Sequence, residues 1–255
     1  MLLTKKALSL ALVSTAATAI ASVSYAGSAQ ALSMTYNSGA YRDASITNEG
    51  AFSTEVNKTG YETFDFNNGA VPGNDKVKYS FSKGSYSTTA YSGQTGIYSD
   101  KWAPAGVNAE VNNSKYLAVF QGNNTIIEAL GGKVFNYFGF DAGALSGGNT
   151  IEFFKGGSAV KKLTYEMMNS LATVSATQHG GQKNAFFEIF STSELDNFDK
   201  IVLSQVGGGG FETDNHTFRI GKGAYSASVP EPGVVFGLAT VSGMFIRSRK
   251  KQKTA

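Results

Sequence analysis

Short apolar and aromatic runs recur along the middle of the chain, and clusters of Gly, Asn and Ser separate them. Alternating or fully apolar runs of this length predict β-strands, and the intervening clusters predict turns. The predicted strands are Tyr61–Phe66, Val77–Phe81, Tyr116–Phe120, Thr125–Ala129, Lys133–Phe140, Thr150–Phe154, Ala185–Phe190, Lys200–Val206 and Phe211–Ile220. Many short strands with regular turn chemistry are typical of a β-sandwich or jelly roll. We therefore expect residues 32–228 to form one all-β domain.

Three further patterns refine this expectation. Lys133–Phe140 carries apolar side chains on both faces, which predicts a strand in a sheet that is covered on both sides. Leu163, Met167, Leu171 and Val174 follow a helical spacing, which predicts one short helix. The four glycines at 207–210 are followed by no Lys-Ser/Thr pair, so they indicate a turn before the last strand and no phosphate loop.

The N-terminus has the pattern of a secretory signal peptide. Lys5 and Lys6 precede an apolar, small-residue run, and Ala29-Gln30-Ala31 offers a small-residue cleavage site, with Ser24-Tyr25-Ala26 as an alternative. A charged segment, an apolar segment and an A-x-A site in this order are the signature of such a peptide. Residues 1–31 are therefore predicted to form a signal helix that directs the chain to the Sec translocon and is then cleaved off.

The C-terminus has a second targeting pattern, over residues 229–253. Val229-Pro230-Glu231-Pro232 interrupts the chain, since the two prolines fix φ and lack hydrogen-bond donors. An uncharged stretch follows, which as a helix of 14 residues would be about 21 Å long, shorter than a bilayer core. A basic cluster then follows: Arg247, Arg249, Lys250, Lys251 and Lys253. This pattern predicts a short hydrophobic helix whose basic end stays at the cytoplasmic leaflet.

These combined termini resemble those of PEP-CTERM exported proteins of the cyanobacterial type. The segments Tyr137–Phe140, Asn149–Phe154, Phe198–Ser204 and Phe211–Phe218 also resemble stretches of PEP-CTERM ectodomains. The resemblance implies that an exosortase cuts near Pro-Glu-Pro, after transient anchoring in the inner membrane. It also implies a galactose-binding-like jelly roll, a fold whose members often bind carbohydrate. The mature protein is then expected at the cell surface or outside the cell.

Composition and charge exclude several classes of function. The chain has no Cys and two His, which excludes a disulfide framework, a thiolate nucleophile, a cysteine metal site and a three-histidine metal site. The net charge of +3 comes from the two targeting segments. Without them, fifteen basic and eighteen acidic residues remain, which argues against nucleic acid as a partner because its binding needs a basic surface.

Glu212, Asp214 and His216 alternate along the last predicted strand, so all three are expected on one face of the sheet. Some jelly-roll glycosidases present their carboxylates on a strand, with the second glutamate five residues after the first. In this chain Thr217 occupies that position, so the proton donor is missing. We therefore expect no enzyme, and an exported glycoside hydrolase is the least favoured hypothesis.

A structural calcium ion is a second interpretation of these oxygen-rich residues, because Ca²⁺ needs only oxygen ligands. Similar jelly rolls hold calcium between the last strand and an early strand. By that resemblance Asp214 would supply the late ligand, with Asp65 and Asn67 as early ligands. The alternative is that Asp65 and Asp214 end turns or face water.

Aromatic residues indicate a third site. Trp102, with Tyr91 and Tyr98 nearby in the sequence, is expected to form a platform on which a pyranose ring stacks. The alternative is that each ring fills the core. His179, next to two glycines, is expected in an exposed loop.

The favoured hypothesis is an exported, exosortase-processed protein whose non-catalytic sandwich binds extracellular polysaccharide. The alternative is a purely structural envelope or biofilm protein.

Overall fold

The computed structural model describes residues 32–43, 46, 48–83 and 93–225. These residues form β1 (Leu32–Asn37), β2 (Tyr61–Phe64), β3 (Val77–Phe81), β4 (Gly96–Tyr98), β5 (Tyr116–Val119), β6 (Thr125–Ala129), β7 (Phe135–Gly143), β8 (Asn149–Lys155), β9 (Ser158–Thr164), α1 (Tyr165–Leu171), β10 (Val174–Ser175), β11 (Lys183–Ser191), β12 (Lys200–Gln205) and β13 (Phe211–Ile220). Short 3₁₀ turns span Thr177–His179 and Glu194–Asp196. The predicted signal peptide and the PEP-CTERM segment lie outside the described residues.

The strands form two antiparallel sheets, so the prediction of an all-β, sandwich-like domain is confirmed. The large sheet has the order β1-β11-β7-β13-β5-β4, with β10 beside β11 and β2 beside the second half of β13. The small sheet has the order β3-β6-β12-β8-β9. All nine predicted strands are present, whereas β1, β4, β9 and β10 were not predicted.

The two sheets differ in how they are covered. Buried and partly exposed residues alternate along β12, as expected for a sheet with one face on the core and one toward solvent. All nine residues of β7 are buried, because the small sheet covers one face of the large sheet and two loops cover the other. The described residues between 38 and 60 form one of these loops and residues 99–115 form the other. The Asn113 N–H joins the two loops by donating to the Asn48 carbonyl at 2.8 Å. The prediction of a doubly covered sheet is confirmed.

Phenylalanine is the most frequent residue in the core between the sheets. Phe138, Phe140, Phe153, Phe198 and Phe218 are fully buried there, and several of their rings pack face to edge. Such large apolar side chains provide most of the buried area that offsets the loss of chain entropy on folding.

The predicted helix exists, but its predicted limits were wrong. Leu163 belongs to β9, whose residue Thr164 pairs with Thr150 of β8, and Val174 belongs to β10, where it pairs with Asn184. Because strand pairing takes both ends of the predicted segment, α1 keeps only seven residues. Its buried residue is Met168, which is not one of the four residues that gave the helical spacing.

Candidate ligand-binding cavity

An open cavity of about 560 Å³ lies at one end of the large sheet, on the face opposite the small sheet. Tyr98, Tyr116 and Glu212 form its floor, on three neighbouring strands. Tyr98 pairs with Tyr116 across β4 and β5, and Glu212 pairs with Ala118 across β13 and β5. Side chains of residues paired across strands lie on the same face of a sheet, and side chains alternate between the two faces along each strand. The side chains of Tyr98, Tyr116 and Glu212 therefore lie on the face away from the small sheet, whereas Leu117, which follows Tyr116, faces the core. The other lining residues are Asp100, Trp102, Phe120, Ala144, Ser146, Gln182 and Gly208–Gly210.

The aromatic part of the lining is a connected cluster. The Tyr98 ring lies 6.1 Å from the Tyr116 ring and 5.9 Å from the Phe120 ring, measured between centroids. The Tyr116 hydroxyl donates a hydrogen bond to Asp100 Oδ1 at 2.7 Å, and burial followed by this carboxylate raises the pKa of Tyr116. The phenol therefore stays neutral and holds Asp100 in place at the rim of the cavity.

Trp102 is half-buried and fixed from two directions. Its backbone N–H donates to Asp100 Oδ1 at 2.9 Å, and its indole stacks on the imidazole of His179 with centroids 5.7 Å apart and planes at 19°. The ammonium of Lys101 lies 4.8 Å from the indole centroid. These contacts hold the indole as part of the cavity wall.

The expectation that His179 is exposed was wrong. Only 1% of His179 is exposed, because the 3₁₀ turn Thr177–His179 ends at Gly180 in a left-handed conformation and turns the imidazole inward. Its Nε2 donates to the Lys101 carbonyl at 2.8 Å, and burial lowers the pKa of the ring. A neutral His179 therefore supports Trp102 from beneath.

Two carboxyl groups face the cavity. Asp100 is exposed, whereas Glu212 is only 7% exposed. Burial raises the pKa of Glu212 to about 8, the negative charge of Asp100 adds to this shift, and the backbone N–H of Glu212 opposes it. No side chain among the described residues donates a hydrogen bond to the Glu212 carboxyl.

The glycines at 207–210 form a turn between β12 and β13, as predicted, and three of them line the cavity. A Cβ at Gly210 would overlap Glu212 Oε1 and would also lie 3.2 Å from Cζ of Phe120. Glycine at this position therefore leaves the space in which the Glu212 carboxyl lies.

The expectation that Glu212, Asp214 and His216 share one face was wrong for His216. β13 contains a bulge between Asp214 and Thr217 where it pairs with β7, and Asn215 adopts a left-handed conformation with φ of 51°. The extra residue reverses the alternation, as β-bulges do. Glu212 and Asp214 therefore face the loop layer, while His216 enters the core beside Phe138, 5.4 Å between ring centroids.

His216 is a core residue without a role at the cavity. Its Nδ1 lies 3.0 Å from the Tyr79 hydroxyl, and its ring is surrounded by phenylalanines. Complete burial lowers the pKa of His216 to about 3. The imidazole is therefore neutral at physiological pH.

The residues predicted to bind calcium already have other partners. Asp65 forms an ion pair with Arg42 at 2.8 Å, and Asn67 Oδ1 accepts the Lys115 N–H at 3.2 Å. Asp214 Oδ2 accepts from Ser114 Oγ at 3.0 Å. In the described ranges, no three His, Asp or Glu side chains converge closely enough to hold a metal ion. Each of these three side chains thus has a partner within the chain, and Asp65 lies close enough to Asp214 for its charge to raise the pKa of Asp214.

The structure unites residues that the sequence suggested for separate sites. Tyr98 and Trp102 line the same cavity as Glu212, whereas Tyr91 lies outside the described residues. Sequence reasoning missed Asp100, Tyr116, Phe120 and Gln182 as lining residues. The sequence indicated Tyr116 and Phe120 only as the first and last residues of a predicted strand.

No family model, curated protein or solved structure matches the chain. No helix within the described ranges is long and apolar enough to cross a bilayer.

Proposed function

We propose that this protein is an exported, exosortase-processed surface protein whose sandwich binds extracellular polysaccharide in the aromatic cavity, without catalysis. The export part of the proposal rests on the sequence of the two termini. The binding part rests on one observation, which is that four aromatic side chains and four polar side chains line a single open cavity. The four aromatic residues are Tyr98, Trp102, Tyr116 and Phe120, and the polar ones include Asp100, Gln182 and Glu212.

This composition suits a sugar for two reasons. Aromatic rings pack against the apolar C–H face of a pyranose, and carboxyl and amide groups hydrogen-bond to its hydroxyls. The volume of about 560 Å³ lies within the range of about 300–1,000 Å³ typical of small-molecule sites. The lining is also preformed, since hydrogen bonds and ring stacking hold Asp100 and Trp102 in place before a ligand arrives.

The finer fold assignment belongs to the same proposal. We assign the sandwich to the galactose-binding-like jelly rolls, and the repeated alternation of successive strands between the two sheets supports this assignment.

Trp102 is the only tryptophan of the chain, so intrinsic fluorescence of the full-length protein reports directly on the cavity. We expect extracellular oligosaccharides to change the emission of Trp102 in a saturable way, and Gln182→Ala to weaken the binding. Leu195→Ala is the control, because Leu195 is 72% exposed and does not line the cavity. If no saccharide binds and the protein self-associates with increasing concentration, the purely structural role replaces this proposal.

A second candidate function, an exported glycoside hydrolase, is favoured by one observation. Asp100 supplies a second carboxyl group in the cavity of Glu212, a residue that the sequence pattern did not indicate. A buried glutamate whose pKa is about 8 also has the property of a general acid. Release of reducing ends from a polysaccharide panel, abolished in Glu212→Gln, would establish this activity, and its absence would leave binding alone.

A further inference from the structure

The charge of the cavity indicates which sugars it accepts. Its described lining residues include two carboxyl side chains, Asp100 and Glu212, and no Lys, Arg or His. The ammonium of Lys101 lies against the Trp102 indole, and Lys101 is not among the described lining residues. The cavity therefore combines carboxyl groups with aromatic rings and has no basic side chain among its described lining residues.

The environment of Glu212 indicates which charge the ligand carries. Its side chain lies within the cavity wall, 93% removed from solvent, and its carboxyl receives a hydrogen bond only from its own backbone N–H within the described chain. A buried carboxylate is costly unless a cation or several donors accompany it. A ligand that brings a positive charge to this position supplies the missing partner.

The aromatic rings favour the same kind of ligand. Faces of Trp, Tyr and Phe attract cations within about 6 Å of their centroids, most strongly where water is excluded. Tyr98, Tyr116 and Phe120 line the same cavity as the two carboxyl groups, and their rings are in contact with one another. An anionic sugar such as a uronic acid would instead meet the negative charge of Asp100 and could not compensate an ionised Glu212.

We propose that the sugar unit bound in this cavity carries a free, protonated amine, so that the ligand is a polysaccharide containing amino sugars without N-acetyl groups. The inference rests on the proposed function and adds the class of sugar to it. The ammonium group lies between Asp100 and Glu212, and the pyranose ring packs against the aromatic wall. Binding shifts Glu212 to its ionised form, since the ammonium compensates the charge of the carboxylate.

Four oligosaccharides of equal length test the inference by fluorescence titration of the full-length protein at pH 6.5. They contain glucosamine, N-acetylglucosamine, glucose or glucuronic acid, so that the substituents change and the pyranose ring stays. We expect the glucosamine oligomer to bind at least tenfold more tightly than the N-acetylglucosamine oligomer, and glucuronic acid to bind least. Added salt should weaken only the binding of the glucosamine oligomer.

Variants assign the preference to the carboxyl groups. Glu212→Gln should bring the affinity for the glucosamine oligomer close to that for the N-acetyl form, and Asp100→Asn should lower it about threefold to tenfold while keeping the acceptor for Tyr116. Glu194→Gln is the control, because Glu194 is exposed and lies outside the cavity. Thermal unfolding of each variant confirms that it is folded.

The outcomes separate the two proposals. Equal or tighter binding of the N-acetylglucosamine or glucose oligomer overturns the amine inference and leaves the proposed function standing. An unchanged preference in both Glu212→Gln and Asp100→Asn also overturns the inference. Binding of none of the four oligomers overturns the proposed function itself.

Discussion

Asp141 and Asp214 lie directly opposite each other on β7 and β13, and both side chains are completely buried. Burial raises the pKa of Asp141 well above its usual range, and the neighbouring Asp214 raises it further. Burial raises the pKa of Asp214 to about 7. The Ala51 N–H donates to Asp141 Oδ2 at 2.7 Å, so the pair also fastens the 38–60 loop to the sheet. The two acids thus retain protons that the unfolded chain has already released at neutral pH.

Asp141→Asn should therefore stabilise the protein at pH 8. Groups whose folded-state pKa is raised contribute stability below about pH 4, and this stability is lost as the pH rises through the folded-state pKa values. The amide keeps an acceptor for the Ala51 N–H, adds a donor toward Asp214 and cannot ionise. Denaturant unfolding should show a gain of about 1–3 kcal/mol at pH 8 and little change at pH 4.

Asp75→Asn is the control for this experiment, because Asp75 is exposed and outside the pair. It should leave the dependence of stability on pH unchanged. A loss of stability in Asp141→Asn at pH 8 would contradict the assigned protonation of the pair.

His216 should produce the opposite dependence on pH. Its folded-state pKa of about 3 is far below that of the unfolded chain, so the stability it contributes is present above about pH 6.5 and is lost as the pH falls toward 3. Replacing both members of the pair, in Tyr79→Phe/His216→Phe, removes this titration without leaving a buried polar group alone. Between pH 6.5 and pH 3.5 the double variant should lose about 2–4 kcal/mol less stability than the native protein.

Tyr79→Phe alone keeps the imidazole and serves as the matched control. It should retain the sensitivity to acid of the native protein. Acid sensitivity that persists in the double variant would show that another group is responsible.

Gly148 and Gly147 allow a test of the turn that precedes β8. Gly148 has φ of 92°, and a Cβ there would overlap the Val206 carbonyl oxygen, whereas a Cβ at Gly147 meets nothing within 4 Å. Gly148→Ala should lower the free energy of unfolding by about 2–4 kcal/mol, and Gly147→Ala should change it by less than about 0.5 kcal/mol. Thermal and denaturant unfolding measure both effects, and equal stabilities would contradict the turn geometry.

Asn215, at the bulge of β13, has a left-handed backbone conformation and a hydrogen-bonded side chain, and two substitutions separate these contributions to stability. The Asn215 amide donates to the carbonyls of Glu49 at 2.8 Å and Ala51 at 3.0 Å, and the residue has a positive φ. Asn215→Ala loses both bonds and strains the backbone, so we expect a cost of about 2–3 kcal/mol. Asn215→Gly loses the same bonds without the strain and should cost about 1 kcal/mol less. The reverse order in denaturant unfolding would contradict the left-handed conformation.

The sequence predicted most of the fold because β-branched and aromatic runs mark strands that pack on a core. β4 was missed because it has only three residues. β9 was missed because its lysines are typical of a loop. An edge strand pairs on one side only, and charged side chains such as lysine are common there. The helix limits failed where long-range pairing overrode the local spacing of apolar residues.

The cavity was predicted only in pieces. Tyr98 and Glu212 are separated by more than a hundred residues, and only the pairing of β5 with both β4 and β13 brings them together. Asp100 gave no signal, since a single Asp in a loop has many roles. His216 was misplaced because strict alternation cannot reveal a bulge, although Asn215, a residue type that tolerates positive φ, was a visible hint.

The cavity divides into a sheet-borne floor and a loop-borne rim. Tyr98, Tyr116 and Glu212 sit on paired strands, whereas Trp102, Gln182 and residues 208–210 come from three separate connections. Substitution or lengthening of those connections would leave strand pairing intact. Recognition of new saccharides can therefore evolve, or be engineered, by exchanging the connections while the sandwich beneath them stays constant.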